Sequence, residues 1–243
     1  VNYFEYNGTS SLDMGLRIES KNVFSAPEYE VDFLTIPGRD GELIAGPGRY
    51  PNVQVTYSVF LPAKSTQELA EKITAVKEWL YEEPDRYHDL TDTYDAEFYR
   101  KAVYAGKLDI EDELNRIGVF TVSFSCLPFR YNLAGSRPHS ITASGTVLTN
   151  PYITASKPYL KIYGSGPVTL TIQNSAGNST WNFLDLDDYI EVDSELMNFY
   201  KGPELRNDMV VGDGFPKLCW GQNTISFTGN VSRIDILPRW VTL

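Results

Sequence analysis

A chain of 243 residues, 42% hydrophobic and 22% charged, is long and apolar enough to bury a sizeable core, as one large all-β domain or two ordinary ones. Its net charge of −11 argues against grasping nucleic acid through phosphates, which is driven by Lys and Arg displacing counterions. The acidity sits in the first half: residues 1–130 carry 13 Lys+Arg against 22 Asp+Glu, net −9, and residues 131–243 carry 8 against 10, net −2.

No apolar run approaches the roughly eighteen residues of a membrane span, and Val1 to Ser10 lack the basic and apolar regions of a signal peptide. The expectation is a soluble protein with no membrane contact and no export signal. Cys126 and Cys219 lie far apart in apolar segments and are expected as free thiols. The sequons at Asn7, Asn178 and Asn230 are expected to go unused.

Along the chain, Gly38-Arg39-Asp40-Gly41 and Gly46-Pro47-Gly48 lack the Lys-Ser/Thr or helix N-terminus of a phosphate loop and read as hairpin turns. Residues Val53 to Val59 alternate, with Val53, Val55, Tyr57 and Val59 on one face of a half-buried strand. Ser65 and Glu68 fit a capping box ahead of Leu69, Ile73, Val76 and Leu80, which predicts an amphipathic helix over about 66–81, stopping before Pro84 and packing on the sheet that holds the 53–60 strand. Residues Phe120 to Cys126 alternate again.

The pattern changes near residue 130, where Asn132 to Ser140 is polar, and this predicts a boundary between domains 1–130 and 131–243. Beyond it, short strands at 160–162, 168–172, 225–227 and 234–236 alternate with turn signals at Gly164-Ser165-Gly166-Pro167 and Asn174 to Asn178, the habit of a β-sandwich. The fold class is mainly β with one amphipathic helix.

Residues for chemistry are sparse. His88 and His139 lie at no metal spacing from each other or from a cysteine, and both read as turn or surface residues. The carboxylate groups Asp109/Glu111/Asp112/Glu113 and Asp185/Asp187/Asp188 read as solvated hairpins or loops; a glycosidase would need one such pair, Asp112/Glu113 or Asp187/Asp188, to face one cleft. Asp185-Leu186-Asp187-Asp188 lacks the Gly and Glu positions of an EF-hand. No catalytic residue, metal ligand or cofactor is assigned. The 13% aromatic content suits a core or a subunit interface, and less readily a sugar platform.

One set of phrases stands in order across the chain: Phe4 to Ser11, Asp13 to Ile18, Ile36-Pro37-Gly38-Arg39-Asp40-Gly41, Glu78-Trp79-Leu80, Leu90 to Ala102, Phe120 to Phe129 and Pro238-Arg239-Trp240. Together they resemble the siphophage distal tail protein family, most densely over 1–130. Thr93 and Ala96 depart from the Ser and Pro that the family tends to show there. The resemblance implies an N-terminal belt domain, β-barrel-like with the one helix, and a C-terminal galectin-like β-sandwich. It implies a homo-hexameric ring at the distal end of a virion tail or phage-derived particle, made in the bacterial cytoplasm. It further implies attachment to the tail-tube protein on one side and the tail-tip or tail-associated protein on the other, with receptor-binding or baseplate components outside and no enzymatic step.

A ring needs a head-to-tail contact whose rotation closes, and hairpins with aromatic anchors suit one. The hairpin through Ile36, Arg39, Asp40, Leu43 and Tyr50 is the expected ring contact. DNA is expected to pass through the ring without specific binding, past acidic walls. The alternative is a carbohydrate-binding protein whose C-terminal sandwich stacks sugars on Trp181, Tyr189 and Trp220.

Overall fold

The computed structural model describes residues 1–113 and 116–243, with the side chains of Asp112 and Glu113 outside that description. The chain divides into two compact units, Val1–Arg130 with Leu243, and Tyr131–Thr242.

In the first unit the strands are β1 (Phe4–Tyr6), β2 (Thr9–Ser10), β3 (Arg17–Asn22), β4 (Glu30–Thr35), β5 (Glu42–Arg49), β6 (Val53–Pro62), β7 (His88–Asp92), β8 (Phe98–Val103), β9 (Ile110–Glu113) and β10 (Ile117–Asn132). The helix α1 spans Thr66–Leu80. An antiparallel sheet runs in the order β2-β1-β7-β8-β10-β6-β3, with β9 also paired to β10.

Strand β6 buries Val53, Val55, Tyr57, Val59 and Leu61 and faces the neighbouring strand or solvent with the residues between. It pairs with β10 from Ile117↔Pro62 to Cys126↔Val53, and β10 buries Phe120, Val122, Phe124 and Cys126. The two alternations agree in phase, so a slip of one residue would set one strand's apolar side chains on the face opposite the other's.

Helix α1 begins where Ser65 Oγ accepts from Glu68 N at 3.2 Å; Glu68 reaches back to Lys64 N at 2.8 Å, one residue beyond the reciprocal capping-box partner. Leu69, Val76 and Leu80 are buried in the core with β6, Ile73 is partly buried, and Trp79 joins them by donating its indole N–H to Tyr6 O at 3.0 Å. Around Phe4 the rings of Tyr57 (4.4 Å) and Trp79 (5.8 Å) stack and Phe124 (5.7 Å) meets it edge-on. Phe4, Tyr57, Trp79 and Phe124 thus form the aromatic centre of its core.

His88 is not the turn or surface residue its sequence neighbours suggest. It lies buried on β7, its ring edge-on to Tyr6 at 5.5 Å and Nε2 3.2 Å from Glu83 O.

The second unit contains β11 (His139–Ile141), β12 (Thr146–Asn150), β13 (Tyr159–Asn174), β14 (Gly177–Asp193), β15 (Asn198–Lys201), β16 (Glu204–Leu205), β17 (Val210–Gly212), β18 (Gly221–Leu237) and β19 (Val241–Thr242). The order is β11-β18-β13-β14-β15-β16, with β12 on β18 and β17 on β14. Three long strands bend midway. Register shifts fall at Gly166/Val168 between β13 and β14, and at Tyr163/Gly164 and Ser165/Val168 between β13 and β18.

Bulges bend strands and tighten their twist, and both halves of these strands line one core. Leu160, Ile162, Ile190 and Val192 from one half meet Leu170, Ile172, Trp181 and Phe183 from the other. The segment Gly164-Ser165-Gly166-Pro167, expected as a turn, is this bend inside β13. At Gly229 the backbone has φ +93° and an added Cβ would collide with Pro167 O, so the close approach requires glycine. Asn174 to Asn178 forms the expected turn between β13 and β14.

Candidate assembly interface

Strands β4 and β5 form a two-stranded sheet of their own, outside the main sheet of the first unit. Opposed residues share a face, and the pairs run Asp32↔Ala45, Phe33↔Ile44, Leu34↔Leu43 and Thr35↔Glu42. Side chains alternate along a strand, so Phe33 and Ile44 lie on one face and Leu34 and Leu43 on the other. The hairpin is apolar on both sides. Phe33 is 60% exposed, Leu34 54% and Ile44 67%, and Leu43 is half-buried.

An isolated two-stranded ribbon is marginal in water. Its local supports are the Arg49–Glu30 ion pair at 2.6 Å, exposed and therefore weak, and the bond from Thr35 Oγ1 to Glu42 Oε1 at 3.1 Å. At its root Tyr50 packs on Tyr29 (4.8 Å) and Phe129 (5.8 Å), so the base is anchored while the blade is not.

The bend between root and blade comes from the register shift between Glu30 and Asp32, opposite Gly46, Pro47 and Gly48. Those three residues were expected as a turn and instead widen β5 internally; an added Cβ at Gly48 would strike Glu30 O. A hollow of about 550 Å³ opens beside the bend, bounded by Glu28 to Phe33 and Pro47 to Arg49.

Of the ring-contact residues expected from sequence, Arg39 and Asp40 are exposed at the tip, with Arg39 N donating to Ile36 O at 3.2 Å, while Ile36 and Leu43 are half-buried. Tyr50 belongs to the root and is engaged within its own unit. Phe33, Leu34 and Ile44 carry the apolar exposure, and sequence reasoning passed over them. The available signal was the run Phe33-Leu34 with Leu43-Ile44 flanking a Gly-rich turn, which has no one-sided period.

The three aromatics considered for sugar stacking are not brought together. Trp181 is 1% exposed, with its indole N–H donated to Gly214 O at 2.8 Å, so no ring face is left for a sugar. Tyr189 is half-buried eight residues further along β14, and Trp220 is 60% exposed just before β18.

The acidic group at 185–188 lies on strand β14 and not in a loop, with Asp187 paired to Lys201 at 3.1 Å. Asp109 pairs with Lys107 at 2.8 Å, and the candidate pair Asp112/Glu113 lies outside the described side chains. His139 is exposed on β11. Among the described residues no three His, Cys, Asp or Glu side chains converge as a metal site would require. Cys126 is free and buried, and burial pushes its thiol up to about 12.

No protein-family model and no curated protein matches the sequence. Solved structures do match. The Dit protein of phage SPP1, described as a paradigm of the hub adsorption apparatus in phages infecting Gram-positive bacteria, superposes over 100% of both chains with TM-score 0.79 and 13% identity. Structures of the phage p2 baseplate in its activated conformation match over 97% of both chains, with calcium at TM-score 0.51 and 10% identity and with strontium at 0.53 and 9%. From end to end, the chain has the fold of the phage distal tail, or Dit, hub proteins.

Proposed function

We propose that this chain is a structural hub of a phage tail or phage-derived tail particle. Six copies close into a ring that joins the tail tube to the tail-tip or tail-associated protein. The first unit forms the ring, and the second offers attachment for receptor-binding or baseplate components. The observation that carries this reading is the β4–β5 hairpin, apolar on both faces, with Phe33, Leu34 and Ile44 left more than half exposed by the described residues. A blade of this kind is stabilised when a neighbouring copy covers it, and one blade per copy repeated head to tail makes a heterologous contact of the type that closes into a ring. Likeness of fold to the SPP1 Dit protein supports the role.

DNA leaving the particle would pass through the ring. The −9 balance of residues 1–130 supports a channel wall that repels phosphate and prevents sticking. Negative-stain images of concentrated protein test the proposal: sixfold rings are expected from the native chain and are lost in Ile44→Asp, which places a charge on the blade. Rings of another order, or rings that survive this substitution and Phe33→Asp together, would contradict it.

A further inference from the structure

The long strand β14 loses its regular alternation between Phe183 and Ile190. The register shift opposite Gly166/Val168 inserts an extra residue, and Asp188 takes φ +72°, which turns outward a side chain that period two would bury. Bulges re-aim side chains at functional sites. Here the two irregularities bracket a hollow of about 190 Å³ walled by Asp185, Asp187, Tyr189, Lys201 and Arg206, with Leu186, Ile190 and Met209 completing it.

We propose that this hollow is a binding site for one neutral pyranose unit of a glycan. It is smaller than the pockets of about 300 Å³ and above that take drug-sized ligands, which fits a single ring. Two carboxylates oppose two cations, so neither an anion nor a cation gains net attraction. What remains is a set of hydrogen-bond acceptors and donors around an apolar floor. A pyranose has matching surfaces, hydroxyls around its rim and C–H bonds across its face.

The donors and the ring are held in place. Lys201 Nζ bonds to Asp187 Oδ2 at 3.1 Å and to Asp187 O at 2.5 Å, and Arg206 pairs with Glu204 at 2.5 Å. Lys161 Nζ stands 3.8 Å from the centre of the Tyr189 ring, which is braced by Tyr163 at 6.1 Å. Such preorganisation lowers the ordering cost of binding. Of the aromatics that sequence marked for sugar contact, only Tyr189 lines this hollow.

Saturation-transfer NMR on the full chain tests the site in any oligomeric state, with methyl glycosides of glucose, galactose, mannose, rhamnose and N-acetylglucosamine, and with acetate and butylammonium as charged controls. At least one glycoside is expected to bind in the millimolar range. Affinity should fall by about tenfold or more in Asp185→Asn and in Tyr189→Ala, with the far-UV spectrum unchanged, because lost hydrogen-bond partners discriminate strongly. Asp185 is exposed and the Asn replacement isosteric, so that variant carries the test if Tyr189→Ala fails to fold. No transfer to any glycoside, equal binding by Asp185→Asn, or transfer to the charged controls alone overturns the proposal. Ring formation is read independently, so this site can fail while the hub stands.

Discussion

Asp193 places a buried carboxylate in the second unit. It is buried, and burial alone would raise its carboxyl, yet Arg239 grips both oxygens at 2.8 and 2.9 Å and the backbone N–H groups of Leu196 and Glu195 each donate at 3.0 Å. These contacts win, and the carboxyl sits below its usual range. A depressed folded value gives stabilisation that is complete above the unfolded carboxylate value and disappears as pH falls through the folded one. Thermal melts should therefore weaken below about pH 4, and Asp193→Asn should flatten that slope while costing about 1.5–3 kcal/mol at neutral pH by removing the charge-assisted bonds to Arg239, which keeps Glu195 at 3.5 Å. A slope unchanged in Asp193→Asn would place the acid sensitivity elsewhere. At Gly229, alanine meets both a positive φ and Pro167 O, so Gly229→Ala should lose more than about 1 kcal/mol in urea unfolding.

Among the elements, helix α1 depends on a named cap, and Ser65→Ala should cost about 1 kcal/mol by orphaning the Glu68 N–H. Urea titration reads this directly, and a loss near zero would mean solvent replaces the cap. The helix and the strands at 53–59 and 120–126 were legible from sequence because each has one buried face, which writes a period into the residues. The β4–β5 blade was legible as a hairpin through Ile36 to Tyr50, without the strand Glu30–Thr35 that forms its other half. Its apolar residues lie on both faces, so Phe33, Leu34 and Ile44 carry no period to read. Gly46-Pro47-Gly48 and Gly164 to Pro167 were taken for turns because Gly and Pro mark turns and strand bulges alike. His88 read as a surface residue and Trp181 as a sugar-stacking one, since Tyr6 and Gly214, which pack on them, are distant in sequence. Tyr189 was marked without the Lys201 and Arg206 that make a hollow around it, since those arrive from a different strand and turn.

For the whole molecule, the central claim is that the first unit is built to meet copies of itself. Each copy leaves Phe33, Leu34 and Ile44 more than half exposed, and burying what remains of each against a neighbour is worth about 1–2 kcal/mol apiece. Repeated around a closed ring, that contribution favours assembly strongly at high concentration and weakly for an isolated pair. The most direct measurement is the native mass of the protein in solution across a range of concentrations. A species of six chains of 27.4 kDa that grows with concentration, and is absent in Phe33→Asp and Ile44→Asp, is the expected result. A single-chain mass at every concentration, or an assembly indifferent to both substitutions, would contradict the claim.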